Sequence, residues 1–96
     1  MDVDGGGPGP TPDVLWAQPN PLQDGATIRF RLNRAGPVSL GLYDASGRRL
    51  AELASGDRAA GFHEVRWDAA GVPAGIYFAR LEWGGRVALR KLVRMN

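Results

Sequence analysis

Three acidic or basic side chains stand where a sequence could do chemistry: Asp44, Asp68 and His63. A pair of carboxylates could hydrolyse a glycosidic bond, and a histidine beside a nucleophile could run acyl transfer. Neither arrangement is complete. His63 is the single histidine, there is no cysteine, and Ser39, Ser46 and Ser55 lack the Gly-x-Ser-x-Gly setting of a nucleophile elbow. His63 opens a strand pattern and is expected at the rim of a core. Asp44-Ala45-Ser46-Gly47 and Asp68-Ala69-Ala70-Gly71 are the sequences of turns in which the aspartate accepts backbone N–H bonds. A Ca²⁺ site built from these loop carboxylates is the alternative, although the Asp-x-Asp-x-Asp-Gly spacing of an EF-hand is missing. No cysteine–histidine zinc pattern is possible, and Gly5-Gly6-Gly7 neither follows a strand nor opens a helix, as a phosphate loop would. No catalytic residue, cofactor or metal is expected.

The cations are the other chemical resource. All twelve Lys/Arg residues fall after residue 14, where they face seven acids for a net charge of +5, while Asp2, Asp4 and Asp13 make the first thirteen residues acidic. Arg29, Arg31, Arg86, Arg90, Lys91 and Arg94, with Trp16, Trp83 or Phe62 as stacking platforms, are what a nucleic-acid surface would use. But Arg29 and Arg31 alternate with Ile28 and Phe30, as solvent-facing positions of a strand do, and the C-terminal cations suit an edge strand that must resist pairing. No nucleic-acid partner is expected, and the three tryptophans are expected in the core. No apolar run approaches the roughly 20 residues of a membrane-spanning helix. Met1-Asp2-Val3-Asp4 has neither the basic nor the apolar region of a secretory signal.

The elements that must carry these residues are strands. Fourteen glycines and seven prolines in 96 residues suit a turn-rich β-protein. Residues 5–12 (Gly-Gly-Gly-Pro-Gly-Pro-Thr-Pro) have no apolar side chain to bury, so residues 1–13 read as a linker ahead of one domain, 14–96. In that domain Val14–Ala17, Ala26–Leu32, Val38–Leu42, Arg48–Leu53, Phe62–Trp67, Ile76–Trp83 and Arg86–Met95 are the strand patterns. Gly56 and Gly61 bracket a loop, and Gly84-Gly85 suits a two-residue primed hairpin turn. The last strand carries Val87, Leu89 and Val93 on one parity and Leu92 on the other, a mixed periodicity that leaves room for a bulge. The predicted fold class is all-β, an Ig-like antiparallel β-sandwich of about seven strands.

Five segments in order resemble a known family. They are Pro19-Asn20-Pro21-Leu22 leading into Ala26–Phe30; Val38–Arg48, ending in Tyr43-Asp44-Ala45-Ser46-Gly47-Arg48; Gly61–Asp68; Val72–Leu81, with Pro73-Ala74-Gly75-Ile76-Tyr77; and Arg90-Lys91-Leu92-Val93. Residues 15–96 resemble the Ig-like C-terminal sorting domains (type A) of type IX secretion cargo, and the related Ig-like domain of the flagellar hook-capping protein. Leu22 departs from the family's usual phenylalanine, and Asn96 from its usual apolar or basic end. The resemblance implies a non-catalytic module that follows a passenger and a linker, is recognised by a translocon, and is removed by a cell-surface sortase. It places the protein at the bacterial cell surface or outside it. It further implies that Pro19, Asn20, Pro21, Gly75, Lys91, Leu92 and Val93 matter for partner recognition. A competing expectation is a structural module that self-assembles with copies of itself, residues 1–17 serving as an arm donated to a neighbour's sheet edge. A chain that starts at Met1 with no passenger would favour that second reading.

Overall fold

A computed structural model describes residues 15–95. The expected linker, Val14 and Asn96 lie outside the described residues. Seven strands follow one another: β1 (Leu15–Gln18), β2 (Gly25–Leu32), β3 (Gly36–Asp44), β4 (Arg49–Arg58), β5 (Gly61–Asp68), β6 (Gly75–Trp83) and β7 (Arg86–Arg94). They form two antiparallel sheets, β1-β2-β5 and β4-β3-β6-β7, so the fold is a β-sandwich.

The alternation in β2 sets the arrangement. Ala26, Ile28, Phe30 and Leu32 point inward and are at most 2% exposed, while Arg29 and Arg31 point to solvent. Across the gap, Leu40 and Leu42 of β3, Ala79 and Leu81 of β6, and Leu92 of β7 complete the core. Burying each large aliphatic or aromatic side chain contributes about 1.5–3 kcal/mol. Trp67 of β5 meets Tyr77 of β6 edge to face at 5.4 Å, which ties the sheets together. The Tyr77 hydroxyl donates to the Pro73 carbonyl four residues upstream. A tyrosine near a strand's start that bonds back in this way is a tyrosine corner.

The turns follow the sequence. Gly84 and Gly85 have φ of 59° and 74°, the two positive values that a type I′ hairpin requires. Two seams close the sandwich. At one, β4 and β5 are joined through Ala59-Ala60, and the His63 ring stacks on Phe30 at 5.2 Å with Nε2 2.7 Å from the Ala59 carbonyl. His63 is thus half-buried at the core's rim. At the other, the Arg90 Nε donates across the sheets to the Leu15 carbonyl at 3.0 Å.

Four details differ from the sequence reading. β4 runs on to Arg58, and Gly56 (φ 95°) lies inside it rather than in a loop; at a sheet edge a glycine in this conformation need not break the ladder on its paired side. β7 carries no bulge, since its register with β6 is continuous from Arg86 to Arg94; the register shifts fall in the β3–β4 pair, beside Gly41 and Tyr43. Trp16 lies on the outer face of β1, against the Phe62 ring at 6.3 Å, because inward Leu15 and Ala17 fix its parity. Trp83 is half-buried at the core's margin, so Trp67 alone of the three is fully inside.

Candidate functional site

The antiparallel strands sort the connections to two ends. One end carries the β1–β2, β3–β4 and β5–β6 connections and the end of β7; the other carries β2–β3, β4–β5 and β6–β7. All seven residues singled out for recognition lie at the first end.

Pro19 and Pro21 have no N–H, so the segment leaving β1 cannot form an ordinary ladder with the strand beside it. Both preceding peptide bonds are cis. Asn20 supplies the missing pairing from its side chain. Its Nδ2 donates to the Lys91 carbonyl at 2.9 Å, and its Oδ1 accepts from the Val93 N–H at 3.1 Å. Two residues on, the backbone takes over: the Leu22 N–H donates to the Val93 carbonyl at 2.8 Å and the Met95 N–H to the Leu22 carbonyl at 2.7 Å. Leu22 and Arg94 thus form a parallel bridge, and four hydrogen bonds cover the outer edge of β7 from Lys91 to Met95. The Leu22 side chain is fully buried and anchors the segment. The sequence flagged Leu22 only as a replacement for phenylalanine; its apolar character between proline and polar residues was the available signal.

On the other side of β7, Gly75 pairs with Arg94, Ile76 with Val93 and Tyr77 with Leu92. Gly75 has φ of 153°, which favours glycine, and nothing lies within 4 Å of where a Cβ would stand. The Arg94 Nε donates to the Ala69 carbonyl at 2.7 Å, and the Ala69 N–H to the Asp24 carbonyl at 2.8 Å, so the β5–β6 loop joins the same corner. Pro19, Asn20, Pro21, Gly75 and Lys91 are exposed, and Val93 is half-buried. Leu92 is different: its side chain faces the core with no exposed surface, so it can contribute to the corner only by holding β7 in place.

The corner opens onto an apolar surface, which accounts for the mixed periodicity of the last strand. Val87, Leu89 and Val93 share the outward parity of β7 beside Ile76 and Phe78 of β6 and Tyr43 of β3. Ile76 and Leu89 remain 43% and 49% exposed. Lys91, in the Tyr43–Phe78 row, is the cation of this face nearest the Asn20 contact.

The remaining candidates are turn formers. The Asp44 Oδ1 accepts from the Ser46 N–H (3.0 Å), the Ser46 hydroxyl (2.6 Å) and the Arg48 N–H (2.9 Å). The Ser46 hydroxyl first, then the Arg48 N–H, hold its pKa below the ordinary carboxylate value. Asp68 accepts from the Ala70 N–H at 3.1 Å. Among the described residues no three His, Asp or Glu side chains gather as metal ligands, and no helix is long and apolar enough to cross a membrane. Arg90 and Arg94, counted with the possible nucleic-acid cations, are turned to backbone carbonyls of the seam and the corner.

The family model described as the secretion system C-terminal sorting domain matches residues 17–95. Among solved structures, the chain is similar to PorZ, an essential bacterial surface component of the type-IX secretion system of Porphyromonas gingivalis, at a TM-score of 0.64 and 23% identity. The similarity covers 98% of this chain and 12% of PorZ. No curated protein matches the chain.

Proposed function

The chain belongs to the secretion system C-terminal sorting domains, and on that premise we propose that it is a non-catalytic sorting module, recognised by protein components of a type IX secretion machinery and directing what it is joined to toward the cell surface or beyond. The family match over residues 17–95 carries the reading. We put recognition at the corner. Exposed prolines, a glycine with room above it, a lysine and an adjoining apolar sheet face are features that another protein surface can read. The aspartates, by contrast, are spent on turns. In this reading a partner engages Pro19–Pro21, Gly75 and Lys91, while Leu92 and Val93 hold β7 to the sheet.

The self-assembly reading has less behind it. Leu15–Ala17, counted in its donated arm, lies within β1, which is paired with β2 of the same chain. Fusing the full chain behind a reporter in a type IX-competent host tests the proposal. The reporter is expected on the surface or in the medium, and its retention in the periplasm with the domain folded would refute the sorting role.

A further inference from the structure

The outer face of β1-β2-β5 carries a groove that neither the core nor the sorting corner uses. Trp16, Gln18, Thr27, Arg29 and Phe62 line it, around a cleft of about 240 Å³. Phe62 is 61% exposed, an unusual amount for a phenylalanine in a small domain. Its ring and that of Trp16 lie 6.3 Å apart, inclined at 37°. The strand register lays the groove out as a track along β2. Arg31 stands at one end, opposite Phe62. Arg29 is in the middle, between Trp16 and Glu64, with its guanidinium 5.5 Å from the Phe62 centroid and paired with Glu64 at 3.1 Å. Thr27 is at the other end, between Gln18 and Arg66. The Arg66 guanidinium turns over Gly25, 2.9 Å from where a Cβ would stand, so the missing side chain makes its room. Arg31 and Arg66 make no ion pair among the described residues, and Asp68, beyond Arg66, is engaged by the Ala70 N–H. Four residues separate the two free cations along the strands, about 13 Å at about 3.3 Å each.

The middle of this track is chemically mixed. Two aromatic rings sit beside a guanidinium–carboxylate pair, a side-chain amide and a hydroxyl. An apolar protein surface laid there would strip water from the polar groups without replacing its hydrogen bonds. A single-stranded nucleic acid would use the rings, but its phosphates need bare cations along the track and would meet the Glu64 carboxylate at its centre. A pyranose ring satisfies both halves. Its axial C–H bonds make an apolar, weakly positive face suited to the negative face of an aromatic ring. Its hydroxyls can donate to Glu64 and accept from Gln18, Thr27 and Arg29. The two uncompensated guanidinium groups at the ends call for negative charge, and a carboxylate is a group that a guanidinium meets with two parallel bonds.

We propose that this face binds a short acidic oligosaccharide of the uronate class, its rings on Trp16 and Phe62 and its carboxylates on Arg31 and Arg66. The site is on the opposite side of the sandwich from the apolar face of β6 and β7, and it stands whether or not the domain sorts what it is joined to.

Titration of the full chain with trigalacturonate and triguluronate, followed through the tryptophan indole N–H signals, tests it. The expected result is a saturable shift of the Trp16 signal with at least one of the two, while Trp67 and Trp83 stay in place. The methyl ester of that sugar, which keeps the rings and removes the charge, should bind about tenfold more weakly. Phe62→Ser should abolish the shift, and Arg31→Glu/Arg66→Glu should reduce the affinity for the acid to that for the ester. Should Phe62→Ser fail to fold, the double arginine variant decides alone. No Trp16 shift with either acid at millimolar concentration overturns the proposal, as does equal affinity for acid and ester. An oligothymidylate that binds more tightly than the sugars would assign the face to nucleic acid instead. A Trp16 signal that moves with protein concentration alone would assign it to a second copy.

Discussion

Asn20 shows how one side chain can stand in for a strand. Its amide offers a donor and an acceptor on one planar group, spaced to meet the Lys91 carbonyl and the Val93 N–H. Asn20→Ala removes both bonds from a partly solvated edge. The expected cost is about 1–3 kcal/mol in urea unfolding, at about 0.5–1.5 kcal/mol for each of the two hydrogen bonds. Asn20→Asp should cost more than Ala, because a carboxylate would face the Lys91 carbonyl with no hydrogen to give. Asp44 makes a pH prediction. Its folded pKa is lowered, so its contribution is present above the unfolded carboxylate value and is lost as pH falls through the lowered one. Asp44→Ala should therefore be less stable than wild type at neutral pH. The gap in melting temperature should narrow once the pH is below the ordinary carboxylate range, and a gap independent of pH would contradict the assignment. These residue roles were partly legible: Asp-x-Ser-Gly announced a turn, whereas nothing local to Pro-Asn-Pro says that its amide reaches a strand more than seventy residues away.

At the scale of elements, alternation was the reliable signal where one face is buried and the other wet. β2 obeys it throughout, and so its inward and outward residues were readable. β7 defeated it because both of its faces are apolar: Ala88 and Leu92 pack inward while Val87, Leu89 and Val93 form part of an exposed patch. A sequence cannot distinguish an apolar outer face from a register shift, since both place apolar residues on two parities. β4 was shortened for a related reason: Gly56 reads as a breaker, but an edge strand tolerates it. Gly25 supplies the test at this scale. It opens β2 where a Cβ would stand 2.4 Å from the Trp67 carbonyl oxygen, a contact with backbone that cannot swing aside. Gly25→Ala is expected to push β2 and β5 apart at a cost of about 1–3 kcal/mol, the range of overpacked interiors. Thermal unfolding would show it, and a melting temperature equal to wild type would mean that the strand pair yields more easily than its packing implies.

For the whole molecule, seven strands bring widely separated segments to one end, and this gives the family motifs a physical meaning. Pro-Asn-Pro, Gly75 and Lys91–Val93 are far apart in sequence, yet the β1–β2 connection, the start of β6 and the end of β7 put them within one hydrogen-bonded corner. The opposite end, with Arg34 in the β2–β3 connection, provides an internal control because it has the same loop character and an exposed cation. The sandwich could be read from periodicity and turns alone. The corner could not, because the sequence resemblance named its residues without saying that they touch. The most direct test of the central claim is export of a reporter carrying this domain with Lys91→Glu, compared with Arg34→Glu, after both are shown to melt with the wild type. Export is expected to fall at least tenfold for Lys91→Glu and to stay at the wild-type level for Arg34→Glu; equal export from the two would contradict the assignment of recognition to this corner.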